Sequence, residues 1–328
     1  MLLPRPRGPL SERTIRALGT GADIGACPTI SSSPIADQDA QLALWTLYEL
    51  HYRGFDDVPA EREWDPELIR FRSGIEHAFE TELRRETAAF VEAAPVETDD
   101  FPSQLLALVD AADGPPLAAY LQRQASHEQL LEFLRQRSIF HLKESDPHSF
   151  VLARVDGPTK AALAELQYDE YGAGRAAHLH ATMFGDALEG CGLDRTYGSY
   201  IDEATAETLA VNNLASLLCL HRRLRGAALG QIAAFEATSS VPSRRIAGGI
   251  ARLGLPAVVS GYFEEHVEAD AVHEQLAARD ICGSAVTQDP TLREDVLFGA
   301  AACLHVDAVA AGAMLAGWSS TPAAQQVS

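Results

Sequence analysis

The sequence predicts an all-α protein. Strand-like alternation bounded by turn residues is nearly absent from the chain. Apolar residues instead recur at helical spacing in long stretches. Several stretches begin at residues that favour helix starts, such as Asp37, Ser126 and the pair Asp65-Pro66. We therefore expect a helical bundle with additional N-terminal helices packed on it.

The predicted helices follow one another with short connections. They cover residues 37–51, 65–91, 126–144, 159–188, 203–225, 227–238, a shorter piece between Pro242 and Gly249, 256–278 and 291–318. Residues 1–36 are rich in Pro, Gly, Ser and Arg and are expected to form a mobile arm. Residues 319–328 are expected to form a flexible tail. An acidic segment with two prolines, 94–102, is the best candidate for an internal boundary. We assign 37–120 to an N-terminal helical extension and 121–318 to the main bundle.

Composition limits the classes of partner and the compartment. The formal net charge is -20, which argues against nucleic acid or an anionic membrane surface. Only Lys143 and Lys160 are lysines among 26 Lys+Arg residues, a skew that we attribute to genomic composition. Five scattered cysteines without a C-x-x-C pair are typical of a reducing cytoplasm. No signal-like segment and no apolar run of roughly 18 residues is evident. We therefore expect a cytoplasmic protein with a small-molecule partner.

The most informative motif lies in the C-terminal third. His266, Asp270 and His273 form H-x-x-x-D-x-x-H, and on a helix these positions fall within roughly 60° of one another. Apolar neighbours such as Phe263 indicate that this helix is partly buried, where polar groups need partners. Mixed imidazole and carboxylate ligation suits iron or manganese better than structural zinc. The alternative is a solvated charged face, because three further glutamates lie in the same segment.

Three other predicted helices carry polar residues that look buried. One ends at L-K-E-S-D-P-H, which contains Glu144, and another contains D-E-Y-G-A-G with Glu170. The third places Glu236 among small apolar residues. On an ideal helix His178 and His180 lie about +80° and about -80° from Glu170, so geometry does not choose between them.

Each of these stretches alone is commonly a solvated face or ordinary core packing. Together, four helices that direct carboxylates and imidazoles into a bundle interior are the general arrangement of a dinuclear metal site. The E-x-x-H motif of ferritin-type bundles is absent from the sequence. Gly172 and Gly174 cost a helix about 1 kcal/mol each against Ala. Their presence predicts close helix packing or a local break beside the site.

These motifs resemble the haem-oxygenase-like diiron oxidases, often described as iron-containing redox enzymes. The resemblance covers residues 128–318 and rests on L-K-E-S-D-P-H, D-E-Y-G-x-G with a His ten residues after its Glu, E-A-T-S, and H-x-x-x-D-x-x-H. Their order and separations match the N-oxygenating branch. The segment L-Y-E-L-H-Y-R-G-F resembles the N-terminal extension of bacterial members. The implied fold is a haem-oxygenase-like helical bundle with additional N-terminal helices.

The resemblance also implies a set of metal ligands. They are Glu144, Glu170, His180, Glu236, His266, Asp270 and His273. Glu144, Glu170 and His180 would serve one of two iron ions, and the other four would complete the pair, with one Glu as a bridge. His180 is preferred to His178 because the family spacing from the Glu is ten. The assignment of each ligand to one ion stays open.

The activity implied by the resemblance is that of an O2-activating non-haem diiron oxidase. Its substrate would be a small amino acid or amine of bacterial specialised metabolism, altered by desaturation, cyclisation, C–C cleavage or N-oxygenation. Two Fe(II)/Fe(III) ions would be the cofactors, O2 the co-substrate, and an external electron donor a partner; a homodimer fits this description. The alternatives are a fatty-acid-type oxidative decarboxylase, a haem protein, and a non-catalytic helical metal- or ligand-binding protein.

Some residues near the motifs are candidates for substrate contacts. The candidate cations are Arg175, Arg222, Arg223 and Arg225, although arginines at helix ends usually face solvent. Tyr171 and Tyr262 are candidates for lining a cavity, although core packing is the commoner role of such residues.

Overall fold

A computed structural model describes residues 1–30, 33–94 and 100–320, without the side chains of 268–271. All regular structure in these residues is helical, which confirms the all-α prediction. The α-helices are α1 (Pro9–Thr20), α2 (Gln38–Glu49), α3 (Pro66–Glu92), α4 (Phe101–Asp110), α5 (Leu117–Arg123), α6 (His127–His141), α7 (Asp146–Leu152), α8 (Gly157–Glu170), α9 (His180–Gly190), α10 (Ala206–Leu220), α11 (Arg225–Arg252), α12 (Ala257–Gln275), α13 (Ser284–Gln288) and α14 (Arg293–Ser320). A π-helical segment, Leu276–Gly283, follows α12 directly.

Helix starts follow the predicted caps. The Asp37 carboxylate accepts hydrogen bonds from two backbone N–H groups in the first turn of α2. Asp65 accepts one from the first turn of α3. Ser126 and Gln129 form a reciprocal capping box at the start of α6. These side chains satisfy N–H groups that the first turn of a helix leaves without intrahelical partners.

The centre of the bundle is α11, which packs along α12 and α14. Two glycines allow α11 and α14 to approach closely. A Cβ atom on Gly230 would collide with the backbone carbonyl of Val296, and one on Gly299 with that of Ala227. The close approach brings α11, which carries Glu236, into the middle of the core.

Helix α14 and its preceding turn form a long apolar segment, Pro290–Ser320. By length and composition it could cross a membrane, but 56% of its apolar window is buried inside the protein. We had expected no apolar run of membrane-spanning length. The segment reaches that length because its apolar residues outweigh the interrupting His305 and Asp307 in mean hydropathy. The extensive packing of this segment on α11 is typical of a core helix.

The N-terminal helices share the core of the bundle. Helix α1 packs on α2, α2 on α10, and α3 on α14. Leu44 and Phe71 of these helices belong to the same buried cluster as Leu217 and Val296. The extension therefore does not form a core of its own, and the boundary at residue 120 stays a prediction.

Within the first 36 residues, Pro9–Thr20 form a packed helix where we expected a mobile arm. Helix α1 buries Leu10, Ala17 and Leu18, because these apolar residues recur at helical spacing on the face that packs against α2. Residues 321–328, most of the predicted tail, lie outside the described residues, and so do residues 95–99 of the predicted linker.

The prediction of one continuous helix over 159–188 is wrong, but the local break predicted at Gly172 and Gly174 is confirmed, because the chain turns there. Helix α8 ends at Glu170, and 3-10 turns lead to the start of α9 at His180. Gly172 has a φ of +69°, and a Cβ atom there would lie 2.5 Å from the backbone of His178. Only glycine fits both the left-handed backbone and the close approach.

The predicted break near Pro242 is also wrong. Helix α11 continues through this proline to Arg252. Proline removes one hydrogen bond from a helix interior, but the packing of α11 on α5 and α12 holds both halves in place. Tertiary packing therefore outweighs the local cost.

Candidate metal centre

Six of the seven predicted ligands converge inside the bundle. They form two groups, Glu144 with His180 and His266, and Glu170 with Glu236 and His273. Within each group, one ligand atom per residue lies within 4.8 Å of the others, and all six residues are buried. The side chain of Asp270 lies outside the described residues, although its backbone belongs to α12.

Five parts of the fold supply these side chains. Glu144 lies in the turn between α6 and α7, Glu170 ends α8, His180 begins α9, Glu236 lies within α11, and His266 and His273 lie on α12. The two α12 histidines share one helix face but are separated by about 10 Å along the axis. They therefore reach different groups.

Glu170 lies between the two groups. Its Oε2 is 3.0 Å from His180 Nδ1, and its Oε1 is 3.9 Å from His273 Nδ1. The resemblance associates Glu170 with Glu144 and His180, and His266 with the other ion. The structure groups them differently because α12 runs past both groups. A carboxylate that faces both groups is in position for the predicted bridge.

The ring of His266 is oriented by its own helix. Nδ1 lies 2.7 Å from the carbonyl oxygen of Tyr262, so a proton on Nδ1 is donated there. Nε2 makes no hydrogen bond among the described residues and lies 3.9 Å from Glu144 Oε2. Burial lowers the pKa of His266. A neutral imidazole whose other nitrogen donates to a carbonyl is the usual state of a metal-ligating histidine.

Protons offset part of the negative charge in both ligand groups. Burial raises the pKa of Glu236 to about 7. Burial opposes charge on His180 and His273, but Glu170 beside the first and Glu236 beside the second raise their pKa values to about 9. Divalent ions would replace these protons, because metal binding requires deprotonated ligands. The donor set therefore fits a pair of metal ions.

A hydrogen-bonded trio orients Glu144. The Tyr262 hydroxyl donates to Glu144 Oε2 at 2.7 Å and lies 2.7 Å from His141 Nδ1. His141 Nδ1 is also 2.9 Å from Glu144 Oε1. Burial opposes ionisation of Glu144, but the neighbouring imidazoles, His141 foremost, outweigh burial and lower its pKa. Tyr262 thus does more than pack in the core.

Two orienting residues were missed from the sequence. His141, the last residue of α6, precedes Glu144 by three residues, and the turn after α6 brings the two side chains together. Asp169 Oδ2 lies 3.3 Å from His273 Nε2 and directly precedes Glu170. Local spacing could have indicated His141. Asp169 could have been indicated only by tertiary packing, in which α8 lies against the π-helical segment that follows α12.

Other candidates lie away from the two groups. His178 and Arg175 are exposed on the turns before α9, and Arg222 is exposed before α11. Arg223 forms an ion pair with Glu80 of α3, and Arg225 forms one with Asp289, the residue that follows α13. Within the described part of the chain, none of these four arginines contacts either ligand group.

The fold and the buried site define a helical bundle with two histidine–carboxylate groups that could hold metal ions. Residues 131–308 match the family of iron-containing redox enzymes. This match covers more than half of the chain and includes all seven predicted ligands. The chain therefore belongs to that family, which confirms the resemblance and places the protein among the iron-containing oxidoreductases.

One solved structure shows the same fold. A CADD-like protein of unknown function from Nostoc punctiforme is 19% identical, with a TM-score of 0.53, over 66% of this chain and 96% of that chain. A second crystal structure with the same description is 18% identical, with a TM-score of 0.49, over 75% of this chain and 100% of that chain. At these identities the first similarity establishes the fold alone. No curated protein matches the chain.

Proposed function

We propose that the protein is a non-haem diiron oxidase that uses O2. The supporting observation is the presence of two adjacent ligand groups with Glu170 between them. Each group offers three carboxylate or imidazole donors, types that suit iron. One donor set per ion, contributed by facing helices, is typical of dinuclear sites in helical bundles. The three described carboxylates also offset much of the charge of two divalent ions.

The bound iron ions would supply redox chemistry with O2 at open coordination positions. The chain itself holds and shields the site. Tyr262 and His141 orient Glu144, and Asp169 orients His273 through its Nε2. Phe184 covers the His141 side, with ring centroids 4.9 Å apart. Such an apolar cover excludes water from reactive oxygen chemistry.

For the substrate, we propose a small amino acid or amine, oxidised by desaturation, cyclisation, C–C cleavage or N-oxygenation. The support is the similarity of the four sequence motifs, in order and separation, to the N-oxygenating branch. An external electron donor would restore Fe(II) between turnovers. A fatty-acid substrate is the second candidate of this kind, and it would require a long apolar tunnel beside the site.

The direct test combines metal loading with O2 consumption. Protein loaded anaerobically with Fe(II) should hold two iron ions per chain. It should consume O2 faster in the presence of one member of a panel of amino acids, amines and fatty acids. The identity of that member decides between the two substrate classes. Glu236→Ala and His273→Ala should lose this response, whereas His178→Ala, a change at an exposed histidine, should retain it.

Two results would contradict the proposal. A strong Soret band after haem addition, with no binding of Fe(II), would indicate a haem protein on the same scaffold. Two bound iron ions without O2 consumption, alone or with any compound of the panel, would indicate a non-catalytic metal-binding protein.

A further inference from the structure

Lys143 is a buried cation directly beside a predicted ligand. Its Nζ lies 2.9 Å from Glu49 Oε2, and the two side chains are 2% and 0% exposed. The Tyr197 hydroxyl donates to the same carboxylate oxygen at 2.7 Å. The ammonium also lies 4.1 Å from the centre of the Tyr52 ring, a cation–π arrangement. Glu49 is the last residue of α2, so the pair joins the N-terminal extension to the turn after α6.

Arg53 makes a second connection to the same turn. Its backbone N–H donates to Glu49 Oε1 at 3.4 Å. Its guanidinium donates to the backbone carbonyl of Leu142 at 3.0 Å and lies 3.6 Å from Asp146. Leu142 and Asp146, which flank Glu144, are thus both contacted by Arg53, a residue that follows α2.

The opposite side of the turn faces the metal centre. Glu144 points to His266 and accepts a hydrogen bond from Tyr262. The Ser145 hydroxyl donates to Glu170 Oε2 at 2.8 Å. Neighbouring residues of one short segment therefore contact the extension on one side and the two ligand groups on the other.

We infer that the Glu49–Lys143 ion pair is a positioning device, through which the N-terminal extension presents Glu144 to the metal ions. This inference rests on the proposed function. Glu49 lies outside the part of the chain that matches the family, residues 131–308. The extension is then a structural requirement of the centre, although it supplies none of the seven predicted ligands.

The type of cation supports a specific role. The chain uses arginine at nearly every basic position, and Lys143 is one of only two lysines. A compact ammonium fits between a carboxylate and aromatic rings, where a planar guanidinium would need more space. Burial of an ion pair is costly and often adds little stability, and fixing one specific arrangement is a recognised use of such pairs.

The experiment is a Co(II) titration of the full-length metal-free protein, followed by the optical bands of the bound ion. Glu144→Gln first shows which of two binding steps depends on this carboxylate. Glu49→Gln and Lys143→Met should weaken that same step by about 10- to 100-fold, the effect typical of groups that orient a ligand. The matched control is Glu76→Gln. It breaks a similarly buried pair with Arg72 in the extension and a contact with His221 after α10, and it should leave both steps unchanged.

The milder variant Tyr197→Phe covers the case in which Glu49→Gln does not fold. It removes one hydrogen bond to Glu49 and should weaken the Glu144-dependent step by about 5-fold. The inference is overturned if that step is unchanged in the folded variants, or if Glu76→Gln weakens both steps as much as Glu49→Gln does. A wild-type protein that binds no Co(II) would instead contradict the proposed function, and with it this inference.

Discussion

Glu170 Oε2 lies 3.0 Å from His180 Nδ1 across a break between two helices. Because α8 ends at the first residue and α9 begins at the second, the turn between them sets the distance between two predicted ligands. Gly172 allows this turn, since its φ is +69° and the backbone of His178 occupies the place of a side chain. Gly172 is thus one of the residues that set the ligand geometry here, together with Ala173 and Gly174, whose φ angles are also positive.

Gly172→Ala should therefore destabilise the protein strongly. The left-handed backbone costs roughly 1–2 kcal/mol for a non-glycine residue, and the forced contact with His178 adds about 1–3 kcal/mol. Gly192 is the control, because its φ is +74° but nothing lies within 4 Å of the position that a Cβ atom would take. Gly192→Ala should be destabilised only by the cost of the left-handed backbone. Denaturant unfolding measures the loss of unfolding free energy in each variant. An equal loss in the two variants would contradict the role of the close approach to His178.

Glu170→Ala should weaken both metal-binding steps. Its carboxylate faces His180 of one group and His273 of the other, whereas Glu236 forms its ion pair with His273 of its own group. Iron analysis after dialysis should show loss of both ions in Glu170→Ala and preferential loss of one in Glu236→Ala. Retention of one full equivalent in Glu170→Ala would show that the two groups do not share this residue.

Tyr262→Phe should leave the fold intact but loosen Glu144. The variant keeps the ring and removes the hydroxyl that donates to Glu144 Oε2. A hydrogen bond to a charged group contributes about 1.5–3 kcal/mol, and loss of an orienting partner lowers metal affinity about 10- to 100-fold. Metal titration and thermal unfolding measure the two effects. Tyr120→Phe, whose hydroxyl contacts Gln129, is the control and should bind metal normally.

The stability of the metal-free protein should fall as pH rises. His180 and His273 have pKa values raised from 6.5 to about 9. Between pH 6.5 and about pH 9 the folded state therefore binds more protons than the unfolded state. Their contribution is complete below about pH 6.5 and is lost as pH passes about 9. Glu236 has its pKa raised from 4.5 to about 7, so it adds a further loss of stability as pH rises from 4.5 to about 7.

Denaturant unfolding in the presence of a chelator, at pH 6, 7.5 and 9, checks this dependence. Below about pH 4.5 the trend should reverse, because the lowered pKa values of Glu144 and Glu170 mean that acid removes their contribution. His273→Gln should flatten the loss between pH 6.5 and 9. Stability that stays constant or increases over this range would contradict the protonation states of the two histidines.

Local features of the chain were enough to predict the fold class and to nominate the candidate ligands. Helical spacing of apolar residues and caps such as Asp37 and Ser126 can be read from short segments, because an α-helix forms its hydrogen bonds within one segment. The positions of His266 and His273 on one face of α12 follow from helix geometry in the same way. The family resemblance supplied the choice of His180 over His178, which agrees with the burial of the first and exposure of the second.

How these residues combine became visible only in the folded chain. The division of the ligands into two groups, the place of Glu170 between them, and the pairing of Glu49 with Lys143 all join residues from different helices. The continuation of α11 through Pro242 is also a matter of packing, since its neighbours α5 and α12 hold it in place. These features depend on contacts between segments distant in the chain, and local propensity carries no information about which helix faces which.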